Sequence, residues 1–364
     1  MAKSQKSTGR RAATLSDVGR AAGVSAMAAS AVINKTKTSA RISEETRQRI
    51  LAAAKELRYR PNVAARALAQ RRMNTIGVAI VVEHGELNTY FLDVFNGIID
   101  AAATIDQNTT VFTLHGWKDS IEQIGRCCDG RIDGMILIAP VLTPEEAEEL
   151  PSHTPFVTLH ANTAIPGSVN LESDEEEGVY KLIQYLIGMG HSRILHLTGP
   201  RGLIGVERRI RGYQRALQDN GIPPDTIPLL TAKSLTGPGG LETMEAWFEA
   251  HKGEPLPEAI FCSNDSLAVA CIEFLALKGV SVPGDVSVCG FDDSQIARTT
   301  IPQLTTVRQP LKEMGKTAVE ILLKRIDEYQ LESDHNPQSP VVFPTELVRR
   351  GSTGAPGGTR AVPS

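Results

Sequence analysis

Thr14-Leu-Ser-Asp-Val-Gly-Arg-Ala-Ala-Gly-Val-Ser-Ala-Met-Ala-Ala-Ser-Ala-Val-Ile-Asn34 is the stretch on which the reading of this chain turns. Thr14 is placed to cap a helix, and Asp17, three residues on, can return a hydrogen bond to the Thr14 backbone. Leu15, Val18, Ala21 and Ala22 then fall on one face until Gly23 breaks the run. Ser25 is placed to cap a second short helix, Ala26 to Ile33, and two such helices about a glycine-containing turn make a helix-turn-helix. After a basic loop with Lys35, Lys37 and Arg41, Ser43 caps a third helix. In it Ile50, Leu51, Ala54 and Leu57 keep helical spacing, and Glu44 and Glu45 lie in the first turn, where the helix dipole favours them. Pro61 ends it. Asn62 can cap a further segment, Val63 to Gln70, too short to hold a helix alone because nucleation is recovered only over ~12–15 residues.

Working outward, the charge is divided sharply. The 364 residues hold 38 Lys and Arg against 42 Asp and Glu. Residues 1–72 contain 16 of the basic and only four of the acidic side chains, which leaves 22 basic and 38 acidic for the rest. A strongly basic N-terminal unit on an acidic body reads as a nucleic-acid-binding head joined to a part that repels phosphate and has another task. With 41% apolar and 22% charged residues the chain is globular, which excludes collagen-like repeats and disulfide scaffolds, and its length makes two or three domains. The five cysteines sit mostly in apolar surroundings and read as reduced thiols; Cys127-Cys128 lacks the spacing of a metal site, and no metal or cofactor is expected. The longest apolar run, Ile76 to Val82, is far short of the ~20 residues a spanning helix needs. The basic tail, residues 1–13, has no apolar segment behind it, so a cytoplasmic protein with no membrane partner is expected.

Thr14-Leu-Ser-Asp-Val18, Ala22-Gly-Val-Ser25, Val32-Ile-Asn34, Ser43-Glu-Glu-Thr-Arg47, Tyr59-Arg-Pro-Asn62, Ala65, Leu68 and Asn74-Thr-Ile-Gly77 together resemble the head and hinge of the lac-repressor (LacI/GalR) family. The resemblance runs to about residue 350. It implies a helix-turn-helix DNA-binding domain over 14–60, a hinge helix or linker over 61–73, and a two-lobed, periplasmic-binding-protein-like body for effector binding and dimerisation over 74–350. The Gly- and Pro-rich residues 351–364 read as a disordered tail, and the absence of a leucine heptad there makes a homodimer the simplest assembly.

The body supports an α/β class by itself. Strand-like runs at Ile76-Val82, Val111-Leu114, Ile132-Ala139, Phe156-Leu159, Ile194-Leu197, Ala259-Cys262 and Val286-Cys289 alternate with helical stretches, the pattern of parallel sheets flanked by helices. The resemblance adds two similar lobes clamping a small molecule, with a helix near 311–329 crossing back to the first. No catalytic constellation can be assembled. Gly199, Gly202 and Gly205 miss the dinucleotide-loop spacing, Gly315-Lys-Thr317 lacks the earlier glycine of a phosphate loop because position 310 is Pro, and no nucleophile elbow is present. An enzyme is not expected.

Polar residues at strand ends are where open α/β sheets bind ligands. His160 follows one such strand, Asn264 and Asp292 follow two others, and Arg209 stands three residues before Gly212. The resemblance makes Arg209, Asn264 and Asp292 effector ligands and places an aromatic at Tyr90 or Phe91 against the effector. Each also has a plain structural reading: Arg209 as the partner of a surface acid, Asn264 as a helix cap, Asp292 as a turn residue, His160 as a structural histidine. Arg, Asn and Asp in one cleft suit a sugar or a sugar acid.

The resemblance also implies a mechanism. A dimer sets two heads on half-sites of a pseudo-palindromic double-stranded operator, and the hinge segments meet over its centre, with Leu68 wedging into the minor groove. DNA-contacting positions carried over are Thr14, Ser25, Ala26, Met27, Ser30, Ala31, Asn34, Arg41, Asn62, Ala65 and Leu68. Ala26, Met27 and Ala31 stand where the family usually has polar or long side chains, and none can make bidentate bonds to a base, so readout leans on apolar contacts and groove shape. The leading expectation is a ligand-responsive transcriptional regulator, a repressor rather than an activator. The alternatives are the solute-binding protein of a sugar transporter, a carbohydrate-active enzyme on the same fold, and a regulator whose co-regulator is a protein.

Overall fold

The structure is a computed structural model and describes residues 12–34, 42–61, 72–82, 89–117, 120–224, 229–330, 339–358 and 360–363. The chain divides into two compact units, Met1–Asn74 and Thr75–Ser364. The tail residues 1–11 and the hinge segment 62–70, together with the expected contact residues Arg41, Asn62, Ala65 and Leu68, lie outside the described residues.

Among its described residues the first unit holds three helices and no strand. α1 (Leu15–Ala22) opens on the reciprocal cap: the Thr14 side chain accepts from the Asp17 amide at 3.3 Å, and the Thr14 amide donates to Asp17 Oδ2 at 3.0 Å. Gly23 closes it in the left-handed region at φ 68°, a conformation a Cβ would strain. Ser25 caps α2 (Ala26–Ile33), and Ser43 caps α3 (Glu44–Glu56). Val18, Ala22, Ala29, Val32, Ile50 and Ala53 form the core. Ala21, Leu51 and Leu57, which helical spacing put on the apolar faces, are exposed instead.

The second unit carries the α/β body. Its first lobe is a six-stranded sheet in the order β11-β5-β4-β3-β1-β2, every pair parallel. The strands are β1 (Thr75–Val81), β2 (Asn108–Leu114), β3 (Gly134–Ile138), β4 (Phe156–Leu159), β5 (Val169–Ser173) and β11 (Val341–Phe343). All seven residues of β1 are buried because helices cover both faces. Ile76, Val78 and Ile80 pack with Val94 and Ile98 of α4 (Thr89–Thr104) and with α12 (Leu311–Gln330). The alternate residues Ala79 and Val81 pack on the opposite face, with Ile124 of α5 (Ile121–Cys127).

The second lobe is a parallel four-stranded sheet, β7-β6-β8-β9, formed by β6 (Ile194–Thr198), β7 (Leu230–Thr231), β8 (Ala259–Cys262) and β9 (Ser287–Cys289). Its helices include α7 (Glu175–Gly188), α8 (Ile204–Asp219) and α10 (Asp265–Leu277). The antiparallel pair β10 (Thr306–Arg308) and β12 (Glu346–Val348) adjoins this lobe through bridges from Cys289 to Thr305 and Asp292 to Arg308. The chain therefore passes between lobes three times: after Ser173, from Gln309 into α12, and after Phe343. All five cysteines are free and buried. Among the described residues no helix is long and apolar enough to cross a membrane.

The expectation of a disordered tail over 351–364 is corrected. Ser352 is fully buried and bonds Val288 through both its carbonyl and its hydroxyl, at 2.9 and 2.6 Å. Further on, Leu256 donates to Arg360 and Val362 to Glu254, each at 2.8 Å, and Val362 enters the second lobe's core. Glycine and proline here make a strap held to the lobe by these bonds, which composition alone does not reveal.

Candidate functional site

The head presents one candidate surface. Met27 is 81% exposed near the start of α2, and Ser25 is exposed while its Oγ accepts from the Ala28 amide at 3.2 Å. Ala26 and Ser30 are half-buried. Asn34 donates to Ser30 Oγ at 3.0 Å. Thr14 is also half-buried and held by Asp17. Ala31, expected among the contact positions, is buried between Ser30 and Val32 on the inner side of α2, so its methyl is withdrawn from that surface. The exposed centre of the helix is then apolar, one thioether flanked by hydroxyls.

The second candidate is a cavity of about 180 Å³ between the two lobes of the body, room for roughly six waters at ~30 Å³ each. Tyr90, Phe91, His160, Arg209, Asn264 and Asp292, all predicted from sequence, line this one cavity. The first lobe supplies Tyr90 and Phe91 from the start of α4 and His160 from the end of β4. The second supplies Arg209 from α8, Asn264 from the cap of α10, and Asp292 beyond β9. Ala139, His160 and Asp292 hold positive φ values of 50°, 50° and 122° where strands end at the cavity wall. Side chains forced into this region cost of order 1–3 kcal/mol each, and such strain gathers where geometry is fixed for a task.

Two residues that sequence reasoning passed over complete the wall: Trp117, buried at the cavity edge, and Glu175, the first residue of α7. Glu175 Oε1 accepts from Arg209 Nε at 3.2 Å and Nη2 at 2.7 Å, while Nη1 of the same guanidinium donates to the Ser263 carbonyl. The guanidinium lies 4.1 Å over the Phe291 ring. Asp292 is 3.9 Å from Arg209 and accepts from Gln309 Nε2 at 2.7 Å. Asn264 accepts from the Leu267 amide at 2.9 Å and donates to the Leu235 carbonyl at 2.8 Å. It caps α10, and the same residue borders the cavity.

A buried polar chain joins the walls. Tyr90 Oη and His160 Nδ1 are 2.6 Å apart. The Ser173 amide donates to His160 Nε2 at 3.2 Å, so the neutral ring carries its proton on Nδ1 and donates to Tyr90. The Ser173 hydroxyl donates to Gln309 Oε1, and Gln309 reaches Asp292. Burial holds the His160 pKa below its ordinary value although Glu175 opposes it, and raises the Tyr90 hydroxyl well above its own. Burial, the largest influence, works against ionisation of Glu175, but Arg209, His160 and Arg208 together outweigh it and the carboxyl stays below the usual range. At Asp292 burial wins over Arg209 and the Gln309 hydrogen bond, and the pKa is raised. The arrangement can bind and orient a small polar molecule against aromatic and aliphatic surfaces.

Comparison with known proteins covers both units. A model of bacterial regulatory proteins of the lacI family matches residues 14–62, and a periplasmic binding protein-like domain matches residues 183–353. The HTH-type transcriptional repressor PurR of Vibrio atlanticus is 32% identical over 346 residues, spanning 93% of this chain and 98% of that protein. The solved lac repressor dimer bound to operator and the anti-inducer ONPF has a TM-score of 0.79 at 25% identity, over 95% of this chain and 100% of the other. The transcriptional regulator CelR in complex with cellobiose gives a TM-score of 0.66 at 25% identity, over 93% and 99%. With similarity that runs through head and body alike, the chain belongs to the lacI family of bacterial regulatory proteins.

Proposed function

We propose that this protein is a ligand-responsive transcriptional repressor acting in the cytoplasm, whose affinity for a pseudo-palindromic DNA operator is set by a small carbohydrate-like effector. The observation that carries the reading is the cavity, to which both lobes bring side chains across three chain crossings. A molecule that touches both lobes favours one of their arrangements by its differential affinity for the two, and only that difference can be passed on to DNA binding. The structural relatives, a repressor bound to its operator and a regulator bound to cellobiose, agree in kind. A homodimer would place two heads on adjacent half-sites, with Asn62, Ala65 and Leu68 of each hinge over the centre of the site.

Selection of duplexes from a random pool by the purified full-length chain tests this. Enrichment of an inverted repeat is expected, followed by a change in its affinity when a sugar that stabilises the protein is added. Failure to enrich any duplex over competitor overturns the DNA half. A stabilising sugar that leaves operator affinity unchanged overturns the effector half.

A further inference from the structure

Glu175 has no role in the assignments above beyond pairing Arg209, yet its surroundings are those of a ligand-binding group. It is 1% exposed and lines the cavity. Oε1 takes both Arg209 bonds, whereas Oε2 is buried with no hydrogen-bond partner, the nearest guanidinium nitrogen of Arg208 standing 3.8 Å away. An ionised oxygen withdrawn from water without a donor is costly, and native structures keep few of them. The close approach of α8 to this carboxylate is allowed by a missing side chain. A Cβ on Gly205, in the first turn of α8, would stand 2.7 Å from Oε1 and 3.2 Å from Oε2.

The charge of the wall points the same way. Glu175 and Asp292 both border the cavity, and among the described residues lining it Arg209 is the one permanent cation. That guanidinium is already committed to Glu175 and the Ser263 carbonyl and covered by Phe291. A ligand carboxylate would meet two acids and an occupied arginine. A ligand ammonium or amino group would supply the donor that Oε2 lacks.

We propose that the cavity selects a polyhydroxylated ligand bearing a basic nitrogen, an amino sugar by class, which donates to Glu175 Oε2, and that it rejects sugar acids. The proposal rests on reading the cavity as the effector site and departs from the expectation that Arg209 could take a sugar acid.

The experiment uses the full-length protein and matched triplets: glucosamine, glucose and glucuronate, and galactosamine, galactose and galacturonate, titrated by calorimetry at neutral pH. The amine of at least one triplet is expected to bind about tenfold or more tighter than its parent hexose, the size of one hydrogen bond to a charged group. The uronates are expected not to bind. In Glu175→Gln the preference for amine over hexose should disappear. A uronate as the tightest ligand, or an unchanged preference in Glu175→Gln, overturns the proposal while leaving the effector reading intact. Binding by no member of either triplet counts against both. The ranking needs only the native chain, so poor folding of the variant does not remove the test.

Discussion

Replacing Arg209 by Met tests the electrostatics of the cavity wall directly. Met keeps an unbranched stem of similar length and removes the guanidinium, leaving Glu175 at 1% exposure and Asp292 at 3% without their shared cation. Removing one member of a buried pair costs about 3–5 kcal/mol because the other charge is left uncompensated. The sign of the pH dependence follows. In the native protein the Glu175 pKa lies below its unfolded value, so its contribution is present above the unfolded pKa and is lost as pH falls through the folded one. Without Arg209 burial, the largest influence, is opposed only by Arg208 and His160, and the folded pKa rises. Protonation then stabilises the variant, and its deficit is greatest at pH ~8 and shrinks towards pH ~5.

Urea unfolding followed by far-UV circular dichroism measures this, provided the denaturant slopes of native and variant proteins agree. Arg209→Met should lose about 4 kcal/mol at the alkaline end and markedly less at the acidic end. The double variant Arg209→Met with Glu175→Gln should recover a large part of the loss, because an amide tolerates burial better than a bare carboxylate. An equal loss at both pH values, or a double variant no more stable than the single one, would refute the account.

Three further expectations concern other parts of the chain. Gly97→Ala places a Cβ 2.1 Å from the Lys312 carbonyl where α4 meets α12, and should destabilise by about 1–3 kcal/mol despite the better helix propensity of alanine. Gly188→Ala, also helical but with nothing within 4 Å, should gain up to ~1 kcal/mol; thermal shifts of the same sign in the two variants would contradict the packing argument. Thr14→Ala breaks the reciprocal cap of α1 and should cost the head about 1 kcal/mol, with Thr14→Ser recovering most of it in chemical denaturation. Met27→Ala should relax sequence preference on DNA without altering the slope of affinity against salt, since a thioether meets no phosphate; a changed slope would place Met27 at the backbone instead.

Local chemistry made much of this structure readable in advance. Thr14, Ser25 and Ser43 start helices through bonds that span three residues, and strands buried on both faces announce themselves as predominantly apolar runs, as at β1, β4 and β8. What escaped depends on partners distant in sequence. β5 alternates Val169, Leu171 and Ser173 with Asn170 and Glu172, whose side chains are satisfied by Thr158 and Arg208, so the strand reads as a polar loop until the sheet is assembled. Glu175 was hidden in the acidic run Asp174 to Glu177, which looks like ordinary complement to a helix dipole. Its full burial against Gly205 and Arg209 of α8 sets it apart from Glu176 and Glu177, which are half-buried and pair with Arg211 and Arg215 of the same helix. Ala31 escaped because a motif position fixes where a residue stands on α2 and not whether the folded head leaves it exposed.

The distribution of polar bonds across the body bears on how the cavity could communicate. Each lobe is built on a sheet sealed by apolar side chains on both faces, and such contacts are non-directional and hold the lobes as rigid bodies. Directional bonds between the lobes include the Arg208–Glu172 pair and one chain through the crossings, with Ser173 at the first, Gln309 at the second and His160 and Asp292 at the ends. Buried and desolvated, they are strong in one geometry and costly in any other. His160 and Asp292 are also cavity wall, so a ligand group that bonds Asp292 acts on the same carboxylate that fixes Gln309. On the reading of the cavity as the effector site, a ligand bonded to Asp292 would thus bear on the registration of the lobes through this chain of hydrogen bonds.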